Sequence, residues 1–167
     1  MLLSSKRVGA AVASLMLVAG LGIAAPAMAD EGIAPLHHTD KSFTFNLGMN
    51  GHSTTDATGG ESKEETSPLM IYPTYISFDQ CRVYGEGARG QSGPWVAGSS
   101  LTVNNYGIVF NWDTDRRLIL RTNIKEYGYS WARLTGWQSS SAGYMSGVWS
   151  PDSYEQSTDI VINAGYR

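Results

Sequence analysis

A single cysteine, Cys81, occurs in 167 residues, and a lone thiol cannot close a disulfide within the chain. Stability must therefore come from burial and hydrogen bonding, and Cys81 is expected to be a small buried hydrophobe on a strand. Histidine is almost as scarce: His37, His38 and His52 are the only three. All lie in polar, unpatterned stretches, where holding a general base in position is difficult. No G-x-S-x-G, no H-E-x-x-H and no Cys-His pairing with a local signature occurs. The paired carboxylates of a glycosidase have no marker: no spacing selects Glu86 with Asp113 or Glu126, and Glu64-Glu65 reads as a solvated charge pair. The expectation is a protein that is not an enzyme and carries no cofactor.

Positive charge is also short, with 12 Lys and Arg against 15 Asp and Glu and a net charge of −3. Arg116, Arg117 and Arg121 form the one basic cluster, and Asp113 and Asp115 adjoin it. Nucleic acid is not an expected partner, because phosphate binding needs clustered Lys and Arg. Sustained attraction to anionic lipid is disfavoured for the same reason. Amphipathic helices are missing too: after residue 30 no segment carries apolar residues at i, i+3, i+4 and i+7 with caps.

One long apolar run is present, at residues 8–25, and it is near the ~20 residues of a membrane span. Lys6 and Arg7 precede it, and Ala27-Met28-Ala29 follows as a small-x-small cleavage site. That order is a secretory signal peptide. The expectation is export by the general secretion route with cleavage after Ala29, leaving a more acidic chain with no transmembrane segment. Residues 30–40 read as a flexible lead-in and 41–167 as one domain.

Within that domain the hydrophobic period is two. Phe43, Phe45, Leu47 and Met49 alternate with Ser42, Thr44, Asn46 and Gly48, the pattern of a half-buried strand. Residues 50–67 are polar and read as a long loop. Further strand-like segments follow at 69–78, 80–84, 95–103, 107–112, 116–122, 127–137 and 144–150. Pro73 points the segment 69–78 toward a sheet edge or a broken strand. Residues 157–166 read either as a last strand or as a peripheral tail. The fold class is all-β: a single antiparallel β-sandwich, or a small barrel, of seven or eight short strands.

Two local patterns invite a chemical reading. Residues 85–90, GEGARG, match G-x-G-x-x-G, but Gln91-Ser92-Gly93-Pro94 cannot open the helix that a dinucleotide site requires. They read as a glycine-rich strand connection. Asn111, Asp113 and Asp115 place oxygen ligands at alternate positions, a weak calcium pattern without the glycine and glutamate of an EF-hand loop.

Aromatic residues are the positive feature, with five Trp, nine Tyr and four Phe. In a disulfide-free β domain many must fill the core. Among those on or beside predicted strands, Trp95, Trp112, Tyr129, Trp131 and Trp137 are the candidate ligand-binding residues, as an exposed platform for an envelope or host-surface glycan or protein.

The motifs KSFTF at 41–45, RVYGEG at 82–87, ARLTG at 132–136 and SGVWSPD at 146–152 resemble those of a group of small secreted proteins of Gram-positive bacteria with no assigned function. The resemblance implies export, a β-rich domain and association with bacteriocin-type or envelope systems, and it carries no catalytic residues across. The functional expectation is a secreted, non-catalytic binding protein. A small antibacterial or pore-forming factor and a secreted hydrolase are the alternatives.

Overall fold

The computed structural model describes residues 40–49, 51–96, 106–138 and 141–163. The expected signal peptide, the lead-in to residue 39, His37, His38, residues 97–103 of the expected strand 95–103 and the expected Asn104-Asn105 turn lie outside them. The strands are β1 (Lys41–Leu47), β2 (Thr55–Ala57), β3 (Glu61–Ser62), β4 (Leu69–Ile76), β5 (Gln80–Ala88), β6 (Gly107–Phe110), β7 (Leu118–Leu120), β8 (Trp131–Gln138), β9 (Gly143–Ser150) and β10 (Ile160–Val161). A short 3-10 turn, Asn111–Asp113, follows β6. No α-helix occurs among the described residues, and none is long and apolar enough to cross a membrane.

Two five-stranded sheets form an all-β sandwich. The first runs β1-β9-β4-β7-β10, and the second β2-β8-β5-β6, with β3 also pairing with β8. Period-two alternation supplies both inner faces. Phe43, Phe45, Leu47, Leu69, Ile71, Leu118, Leu120, Met145 and Trp149 come from the first sheet, and Cys81, Val83, Val109, Ala132 and Leu134 from the second. Fully burying one such aliphatic or aromatic side chain is worth about 1.5–3 kcal/mol. Cys81 is fully buried among them, and burial pushes its thiol far above the ordinary range. At Gly136 the layers approach closely: a Cβ there would lie 2.6 Å from the Phe45 ring.

Several elements differ from the sequence expectation. Residues 50–67, expected as a loop, contain β2 and β3, which lie against one edge of β8. Strand β4 is interior to its sheet despite Pro73. The chain tolerates the proline because β4 pairs with β7 only over Leu69–Ile71, and a bulge between Pro73 and Tyr75 absorbs the missing N–H on the β9 side. Gly85 and Gly87 lie inside β5, paired with Leu134 and Ala132, and not in a connection after it. Strand β8 begins only at Trp131; residues 124–128 form a turn with Gly128 at φ +79°. Ile160–Val161 is a strand and pairs in parallel with β7.

The two sheets are fastened by a buried ion pair. Lys63 follows β3 of the second sheet and Asp152 follows β9 of the first, and both side chains are 1% exposed. Lys63 Nζ donates to Asp152 Oδ1 at 2.5 Å and to the Ser67 carbonyl at 2.5 Å. Asp152 also accepts from the Ser67 hydroxyl at 2.8 Å and from the backbone N–H groups of Glu64 and Glu65 at 2.9 and 3.2 Å. Burial alone would raise the Asp152 carboxyl, but the Lys63 ammonium, the Glu64 N–H and the Ser67 hydroxyl outweigh it and hold the group below its ordinary value. The SGVWSPD stretch is thus structural: Trp149 fills the core, and Asp152 organises the loop after Lys63.

Three outcomes follow for stability. Cys81→Ser places a hydroxyl in an apolar setting and is expected to lower urea-denaturation stability by about 1–3 kcal/mol while the protein still folds. Lys63→Met leaves Asp152 buried without its cation and is expected to cost about 3–5 kcal/mol, with Lys63→Met/Asp152→Asn recovering part of the loss. The folded pKa of Asp152 is depressed, so its stabilisation is complete above the unfolded value of about 4 and is lost as pH falls through the folded one. Melting temperatures between pH 7 and pH 2 are expected to fall below about pH 4, more steeply in the wild type than in Asp152→Asn.

Candidate functional site

Because inward positions of β5 and β8 are taken by Cys81, Val83, Gly85, Ala132, Leu134 and Gly136, the alternate positions point outward. On β5 these are Arg82, Tyr84 and Glu86; on β8 they are Trp131, Arg133, Thr135 and Trp137. Antiparallel register sets Arg82 opposite Trp137, Tyr84 opposite Thr135 and Glu86 opposite Arg133. Directly opposite side chains on one face lie close enough to interact. The outer face of the second sheet is therefore a row of aromatic rings interleaved with arginines.

At one end of the row Arg133 lies over the Trp95 ring, with Cζ 4.8 Å from its centroid. Arg133 Nε donates to Glu86 Oε2 in a short contact, and the Thr135 hydroxyl donates to the same oxygen at 2.6 Å. Glu86 is 6% exposed, so its carboxylate serves this internal contact. In the middle, burial reinforced by the Glu86 charge raises the Tyr84 phenol above its ordinary range. At the other end the Arg82 guanidinium is held between two rings, 4.7 Å from the Tyr106 centroid and 5.1 Å from that of Trp137. Tyr106 and Trp137 are 36% and 43% exposed.

Of the sequence candidates, Trp95, Trp131 and Trp137 come together on this face. Trp112 is 61% exposed and stacks on Phe110 at 4.4 Å. Phe110 shares the outer face of β6 with Ile108, opposite Gln80, so Trp112 extends the aromatic surface toward the β6 edge. Tyr129 is not part of it: this ring packs against the core from the turn before β8. Asn111, Asp113 and Asp115 do not converge either. Asp113 is fully buried and accepts the Phe110 N–H at 2.8 Å, while Asn111 and Asp115 face solvent. Among the described residues no three His, Cys, Asp or Glu side chains are grouped closely enough to hold a metal ion. His52 is exposed.

Arg82, Tyr106, Arg133 and Glu86 belong to the arrangement without having been singled out from sequence. Alternation in RVYGEG does put Arg82, Tyr84 and Glu86 on one face, but only the β5–β8 register shows what stands across from them. A second exposed aromatic pair, Tyr75 and Tyr144, stacks at 4.7 Å on the outside of the first sheet.

A family model described as "Protein of unknown function (DUF2712)" matches residues 26–153. No curated protein and no solved structure matches the chain.

Exposure makes a spectroscopic prediction. Acrylamide is expected to quench Trp112 and Trp137 and to spare Trp149, which is 1% exposed. Trp112→Phe/Trp137→Phe should thus remove most of the quenchable emission and leave a blue-shifted remainder; an unchanged quenching curve would contradict this placement.

Proposed function

The chain belongs to this family, and from that premise we propose that it is a secreted, non-catalytic recognition protein. In this reading it binds a glycan or protein of a cell envelope or host surface through the outer face of its second sheet. The observation that carries the reading is the gathering of Trp95, Trp131 and Trp137 with two arginines on one sheet face, with Trp137 and Tyr106 well exposed. Core filling does not account for rings on the outside of a sandwich, and amphipathic aromatics beside arginine are the residue types enriched where proteins bind partners. The resemblance to secreted Gram-positive proteins and the leader-like pattern of residues 1–29 agree with such a role outside the cell.

Purified protein added to intact Gram-positive cells is expected to be retained on the surface without loss of viability. Trp137→Ala is expected to weaken retention about tenfold, a loss of about 1.4 kcal/mol, with little change in melting temperature because the ring is on the surface. Retention that is indifferent to both Trp131→Ala and Trp137→Ala would reject the face as the binding site. Killing or dye leakage would instead favour the antibacterial or pore-forming alternative.

A further inference from the structure

Three other arginines of the described fold have their charge answered, and Arg89 and Arg116 are solvent-exposed. Arg117 meets Asp159 at 3.7 Å and donates to the Tyr154 carbonyl at 2.8 Å; Arg121 forms a forked pair with Glu155 at 2.9–3.1 Å; Arg133 is bonded to Glu86. Arg82 is different. It is half-buried and flanked on both sides by rings, yet among the described residues no carboxylate, carbonyl or hydroxyl accepts from its guanidinium. A guanidinium carries five N–H donors in a rigid planar fork that matches an oxyanion. Ring contacts fix its orientation and leave its charge uncompensated.

Resting on the recognition reading above, we infer that Arg82 is the anion receptor of this face and that the ligand is an acidic polysaccharide. Its carboxylate meets the Arg82 fork, while sugar rings lie on the flanking Trp137 and Tyr106. Charge complementarity selects this occupant. The face offers one unanswered cation between two flat apolar surfaces, which suits a polymer carrying one anion per sugar and not a densely charged polyphosphate. The negative net charge of the chain disfavours docking of such a polymer where no cation faces it, and Arg82 is the cation flanked by two rings. Arg133 is already neutralised by Glu86, so it orients Trp95 and leaves the anion to Arg82.

The test is affinity electrophoresis of the purified protein in gels containing polygalacturonate, its fully methyl-esterified form or polyglutamate. The ester keeps the sugar backbone and removes the charge; polyglutamate keeps the charge and removes the sugar. Retardation at least tenfold stronger in polygalacturonate than in either control is expected, weakening as salt rises from 0.05 to 0.5 M in line with screening over about 10 Å or less. Arg82→Gln should abolish the difference between acid and ester, with Arg82→Lys restoring only part of it, and Trp137→Ala should weaken retardation in both sugar gels. Equal retardation by acid and ester, or by acid and polyglutamate, overturns the acidic-polysaccharide assignment. So does no retardation in any gel. The recognition reading is judged separately: cell retention that depends on Trp137 but not on Arg82 would keep the aromatic face and discard the anion receptor, and retention indifferent to both would discard the two together.

Discussion

Two charges buried where the sheets meet hold this molecule's ends in register. Taking Lys63 and Asp152 out of water is expensive, and a buried pair is tolerated only when its remaining donors and acceptors are satisfied. Here the Ser67 carbonyl takes a second ammonium proton, and the Ser67 hydroxyl and two backbone N–H groups complete the carboxylate. The Lys125 ammonium, donating to the Lys63 carbonyl at 3.0 Å, brings the turn before β8 into the same knot. In a chain without an internal disulfide, these contacts join the β3–β8 side of one sheet to the end of β9 in the other.

With the sheets fastened and the inner faces filled by aliphatic, phenylalanine and glycine positions, the outer positions of β5 and β8 are released from packing. Gly85 and Gly136 matter here because their missing side chains admit Leu69 and Phe45 from the facing sheet. The two strands can then lie close to the core while carrying arginine and tryptophan outward. The interleaved row is a consequence of register: a slip of one residue would turn Arg82, Glu86 and Trp137 into the core. Cation–ring contacts then order long side chains that would otherwise be free, so the surface is presented with part of its conformational entropy already lost.

Much of the fold was legible locally. Phe43, Phe45 and Leu47 announce β1 because alternation is a property of neighbouring residues, and the all-β class follows from the same period repeated along the chain. Residues 50–67 misled because β2 and β3 are two or three residues long and polar, and they exist only by pairing with β8. Pro73 left an edge and a broken strand both open, and only the sheet order shows an interior strand interrupted by a bulge. Lys63 carries no signal of its own, because nothing near it in sequence indicates Asp152, 89 positions away.

Composition and local alternation set the strand period, the burial of Cys81 and the supply of aromatic side chains, since these depend on residue type and on neighbours within a strand. Tertiary structure decided which aromatics are core and which are surface, that Arg82 stands between Tyr106 and Trp137, and that a polar lysine and aspartate become the buried fastening. The physical reason is that register and sheet order bring together residues far apart in the chain. Their interaction energies exist only once the whole sandwich has closed.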